Sequence, residues 1–233
     1  MTSFLVLFDI DGTLVHTGRA GMRGLARAFD DLFHAPHAID GVPFAGRTDR
    51  AIVTDALERV DCARSDTTIE AVRRVYCVRL AEEIQRPVEH PKCVLPGVAA
   101  ALDVLDARAD VAVGLLTGNF AQGAEIKLGY FDLWQRFLFG AFGDAHTDRR
   151  DLVPLALERA RGATSATLSL ERVVVIGDTP LDIDCAHAHG ARAIAVATGP
   201  FDAAALTEAG GDVVIRDLTE LPAAWEKLGS SWK

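Results

Sequence analysis

Residues 4–8, Phe-Leu-Val-Leu-Phe, are five apolar side chains in a row, stopped at once by Asp9-Ile10-Asp11-Gly12. A strand with one face in water alternates apolar and polar residues; this run does not. It suits a strand buried on both faces, as in a parallel sheet covered by helices on either side. Similar runs recur at Val111–Leu116, Val173–Ile176, Ala193–Val196 and Val213–Ile215. Segments of helical character, over 98–109, 120–130, 152–161 and 181–189, lie between them. Strands alternating with helices make βαβ units, so the expected class is α/β with a Rossmann-like parallel sheet.

Residues 17–90 read differently. Met22, Leu25, Ala26, Phe29, Leu32 and Phe33 mark one amphipathic helix, Ile52 to Val60 a second, and Ile69 to Ile84 a third, with no strand-like run among them. Prolines 87, 91 and 96 then make a poor helix and a good hinge. The expected organisation is an α/β core of residues 1–16 and 91–233, with 17–90 inserted as a small all-helical domain. The last five residues, 229–233, read as a frayed tail.

Acidic residues outnumber basic ones by 33 to 24, a net charge of −9, which argues against nucleic acid or an anionic membrane as partner. No apolar run approaches the roughly 18 residues of a membrane span. The four cysteines form no C-x-x-C pair, and no secretory leader precedes Asp9, so a reduced, cytoplasmic setting is expected. Only Lys92, Lys127, Lys227 and Lys233 are lysines.

Polar residues concentrate where the apolar runs end. Asp9 and Asp11, two apart in extended chain, point the same way, although Asp-x-Asp-Gly also suits a plain turn. Gly177-Asp178-Thr179-Pro180-Leu181-Asp182 follows another run; a helix cap explains Thr179, Pro180 and Asp182 but not Asp178. Two carboxylate clusters at strand ends of one sheet would repel each other unless a cation sat between them. Oxygen-only donors suit a hard ion such as Mg²⁺. Thr117-Gly118-Asn119 opens a helix and could form an anion-binding corner. Asp148-Arg149-Arg150-Asp151 reads by itself as solvated surface.

Taken in order, Phe8–Leu14, Thr117-Gly118-Asn119, a basic residue and Gly177–Asp182 resemble the haloacid dehalogenase superfamily of phosphatases over essentially the whole chain. Gly46-Arg47-Thr48-Asp49 and Leu95-Pro96-Gly97 resemble its phosphoglycolate-phosphatase-like group, in which the helical insert is a cap. The resemblance implies a phosphatase acting on a small phosphorylated metabolite. Asp9 would be the nucleophile, Asp11 the general acid and base, and Thr117, with Gly118 and Asn119, the phosphoryl-binding corner. Asp9, the Asp11 carbonyl and Asp178 would hold Mg²⁺, with Asp182 a lesser ligand. The third motif is usually a lysine, and none lies between Lys127 and Lys227; Arg149, or else Arg150, would stand in.

Arg47, on a loop of the insert, is a candidate for gripping an anionic group of the substrate, the alternative being a solvated residue or a pair with Asp49. His16 could line the site. A dehalogenase would lack Asp11, and a cap-lysine phosphonate hydrolase would need a lysine within 17–90, where there is none. A phosphosugar mutase shares the Asp9/Asp11 pair and stays open as an alternative, as does a non-catalytic phosphometabolite-binding protein.

Overall fold

The computed structural model describes residues 2–164 and 166–229; the tail beyond Gly229 lies outside the described residues. Six parallel strands form the main sheet: β1 (Thr2–Phe8), β4 (Val111–Leu116), β5 (Gly140–Ala141), β6 (Thr167–Gly177), β7 (Arg192–Val196) and β8 (Val213–Ile215). Their spatial order is β5-β4-β1-β6-β7-β8. Helices α4 (Val98–Asp106), α5 (Ala121–Gly129) and α9 (Leu221–Gly229) contribute to the core on one face. Helices α6 (Leu152–Ala163), α7 (Pro180–His187) and α8 (Ala203–Glu208) do so on the other.

The unalternating run of β1 now has its reason. Val6 and Phe8 belong to one core and Leu5 and Leu7 to the other, all four fully buried. The α/β parallel sheet expected from the sequence is the fold observed.

Helices α1 (Ala20–Phe33), α2 (Asp49–Arg59) and α3 (Asp66–Glu83) pack around a third core built on Phe29, Ile52, Leu57, Val72 and Leu80. Thr48 caps α2, its hydroxyl accepting from Ala51 N–H at 3.1 Å, and Ser65 caps α3 through Thr68 N–H at 3.2 Å. The sequence reading missed one element here. β2 (Val15–Thr17) and β3 (Lys92–Val94) pair antiparallel as a ribbon through which the chain leaves the sheet layer and returns to it. Three residues per strand are too few for any periodicity to register.

Glu83 fastens α3 to α1. Its side chain is 1% exposed and accepts from Arg23 Nε at 2.7 Å and Arg27 Nη1 at 3.0 Å, with Arg86 Nη1 at 2.8 Å. Burial alone would raise its pKa, but these guanidiniums outweigh burial and hold it below the ordinary value. An acid with a depressed folded pKa stabilises the fold at neutral pH and loses that contribution as pH falls through the folded value. Glu83→Gln should therefore cost about 1.5–3 kcal/mol at neutral pH. The deficit should shrink on acidification, as seen in urea melts of both proteins at several pH values.

Candidate active site

Strand order explains how distant residues meet. β1 lies between β4 and β6, with Phe8 level with Leu115 on one side and Ile176 on the other. The residues that follow each strand, Asp9, Thr117 and Asp178, thus emerge side by side at the C-terminal edge, where open parallel sheets place ligands.

Asp9, Asp178 and Asp182 are buried, and one carboxylate oxygen from each lies within 4.8 Å of the others. Burial first, and then the neighbouring Asp182 and Asp11 charges, push Asp9 up to about 6 against the pull of Arg149. Asp178 is raised well above the usual carboxylate range by burial and by the charges of Asp182 and Asp9. Asp178 Oδ1 accepts from the Thr13 hydroxyl at 3.0 Å. Gly12, at φ +85°, passes so close that a Cβ there would stand 2.4 Å from Asp178 Oδ2. Only glycine meets both demands.

Arg149 is buried across this cluster. Its Nη2 donates to Asp9 Oδ1 (2.9 Å), Asp182 Oδ1 (2.5 Å) and the Leu116 carbonyl (3.2 Å), and its Nη1 to the Gly46 carbonyl (3.0 Å). Arg149 Nε is fully enclosed and has no hydrogen-bond partner among the described residues. Arg150 is exposed and paired with Asp148. Asp182 is engaged on both oxygens, since its Oδ2 also accepts from the Thr179 N–H (3.0 Å) and hydroxyl (2.7 Å).

Asp11 is partly exposed and held from the side. Asn119 Nδ2 donates to its Oδ2 at 2.9 Å and to Thr117 Oγ at 2.7 Å. Lys127 Nζ donates to the same Asp11 oxygen at 2.6 Å and to Asn119 Oδ1 at 2.5 Å. The sequence reading overlooked Lys127. A signal existed: on α5 it shares the buried face of Ala124 and Leu128, an unusual place for one of four lysines.

The loop before α2 closes over these residues. Asp49 N–H donates to the Gly118 carbonyl at 2.7 Å, and a Cβ on Gly118 would stand 2.1 Å from the Arg47 carbonyl oxygen. Asp49 turns its carboxylate to the Phe120 N–H at 2.9 Å and, through burial, is pushed up to about 6. Arg47 borders the cavity beneath this loop, with its guanidinium on Asp55 at 2.7 Å rather than on Asp49. The cavity measures about 490 Å³ and is also lined by His16, Arg19 and Tyr76.

Residues 6–187 match the family model for haloacid dehalogenase-like hydrolases. The chain belongs to this family. Among relatives of the hydrolase, a probable phosphatase, IndB, of Dickeya dadantii (strain 3937) is 27% identical over 230 residues, covering 96% of this chain and 94% of that protein. A hydrolase from Pseudomonas syringae superposes with a TM-score of 0.70 at 21% identity, over 97% of this chain and 99% of that one. A putative beta-phosphoglucomutase from Bacteroides vulgatus gives 0.69 at 19%, over 100% and 91%. The chain is thus a haloacid dehalogenase-like hydrolase. Among its described residues, no helix is long and apolar enough to cross a membrane.

Proposed function

We propose that this hydrolase is a Mg²⁺-dependent phosphatase that cleaves a small phosphorylated metabolite through an aspartyl-phosphate on Asp9. Residues 17–90 would act as a cap over a core of 1–16 and 91–233. The reading is carried by Asp9, Asp178 and Asp182 meeting Arg149 at the foot of the cavity. Three buried carboxylates against one guanidinium leave negative charge to be offset, and a set of carboxylate oxygens fits a hard divalent ion. Asp9, Asp178 and the main-chain carbonyl of Asp11 would hold it, with Asp182 behind them. Bound there, Mg²⁺ would offset the carboxylates' repulsion and polarise the phosphoryl group.

The chain's own groups would do the rest. A carboxylate oxygen of Asp9 bonds to phosphorus as the bond from phosphorus to the ester oxygen breaks. Asp11 gives a proton to the leaving oxygen, then takes one from the water that cleaves the acyl phosphate and frees Asp9. Thr117, the main chain at Gly118 and Asn119, and Arg149, whose Nε lacks an acceptor, would donate to the phosphoryl oxygens. The expected setting is cytoplasmic, where the four free cysteines would stay reduced.

Purified protein should release inorganic phosphate from small phosphate monoesters in Mg²⁺. Excess chelator should slow it by roughly 10³-fold or more, and added Mg²⁺ should restore it. Undiminished release in chelator would remove the metal from the mechanism. Phosphoryl transfer to a second hydroxyl without free phosphate would make it a phosphosugar mutase.

A further inference from the structure

We infer that a slot between Gly21 and Tyr76, beside Asp11, receives a neutral acceptor oxygen of the leaving alcohol. The preferred substrates would then be phosphate monoesters with a hydroxyl or carbonyl close to the ester carbon. This deepens the phosphatase reading and rests on it for how the substrate lies.

Tyr76, on α3, is 3% exposed, with its ring edge-on to Phe120 at a centroid distance of 6.2 Å. It borders the cavity, and its hydroxyl makes no hydrogen bond with any described residue. Burial keeps this phenol protonated, so it faces the cavity as a donor. An ammonium has three N–H groups. Asp11 Oδ2 and Asn119 Oδ1 take two of those on Lys127, which leaves one.

Both groups converge on one place. A Cβ on Gly21 would stand 3.4 Å from Lys127 Nζ and 3.4 Å from the Tyr76 hydroxyl. A Cβ on Gly123 would be 3.8 Å from the same hydroxyl. Two donors without acceptors, facing space that a glycine leaves open, call for an oxygen rather than a methyl group. The charges of Asp49 and Asp11 bear on both Lys127 and Tyr76, which disfavours a second carboxylate or phosphate there. Met22, Leu25 and Ile52 line the cavity beyond, and suit the carbon skeleton.

The test is binding to the Asp9→Asn chain in Mg²⁺, which removes turnover from the measurement. Calorimetry compares glycerol 1-phosphate with propyl phosphate, which have the same number of carbons but differ in hydroxyls. Glycerol 1-phosphate should bind about tenfold more tightly. Tyr76→Phe in that background should bring the ratio close to one. Gly21→Ala should do the same by filling the slot, with an unchanged or higher melting temperature because alanine favours helix. Equal binding of the two esters, binding of neither, or a ratio that survives both substitutions would overturn the inference. Phosphate release from both esters by the unmodified chain, measured in parallel, tests the phosphatase reading separately.

Discussion

Asp9→Asn should abolish turnover, by about 10⁴-fold or more, without lowering the melting temperature of the divalent-free protein. The rate effect follows if the Asp9 carboxylate is the atom group that bonds to phosphorus, since an amide oxygen is a far poorer nucleophile. The stability effect follows from the surroundings. Asparagine keeps an oxygen to accept from Arg149 Nη2, the contact Asp9 makes at 2.9 Å. It also deletes one of three buried like charges, and the Asp9 charge is among those that raise the pKa of Asp178. The substitution should in addition weaken any rise in melting temperature produced by Mg²⁺. A ligand that binds only the folded state, at free concentration L, stabilises it by RT ln(1 + L/Kd), which shrinks as Kd rises. Phosphate release and melts with and without the ion check both parts. Wild-type turnover by the pure variant would end the nucleophile assignment.

The sequence discloses the elements of this fold more readily than their neighbours. Apolar runs such as Phe4–Phe8 announce buried strands because burial on both faces removes every polar option. Which strand lies beside which depends on pairing across more than a hundred residues, and no local pattern records that β1 sits between β4 and β6. The site divides the same way. Asp178 stands out because a helix cap leaves its carboxylate unexplained. Asp9 and Asp11, which a plain turn would also suit, stand out only together with it, as a second carboxylate pair at a strand end. Arg149 and Arg150 are adjacent, chemically alike and flanked by aspartates. Only the tight turn at Arg149–Asp151, against which Cys185 of α7 packs by donating its thiol to the Arg149 carbonyl at 3.1 Å, decides which one faces inward. Lys127 and Tyr76 hide because a buried helix face is first read as core. Their polar ends matter only once the α1–α3 unit is laid against α5.

Arg149→Lys should cost more than its retained charge suggests. The guanidinium spans Asp9, Asp182 and the Leu116 carbonyl with one nitrogen and the Gly46 carbonyl with the other. An ammonium is a compact point charge and cannot reach the two sides of that span together. Gly46 belongs to the loop before α2, so losing that bond frees the loop that covers the carboxylates. Turnover should fall roughly 10²-fold, as when one fixed donor to a developing charge is removed, and stability by about 1.5–3 kcal/mol. Arg149→Met should be harsher, at about 3–5 kcal/mol, because Asp9 and Asp182 would be left buried without their counter-charge. Mg²⁺ should recover part of that loss of stability but none of the donor function. Arg150→Lys is the control, exposed and bound to Asp148 at 2.6 Å, and should change neither rate nor melting temperature. If Arg149→Lys instead matched the unmodified chain in both, charge alone would suffice at this position and the forked geometry would have no part in the chemistry.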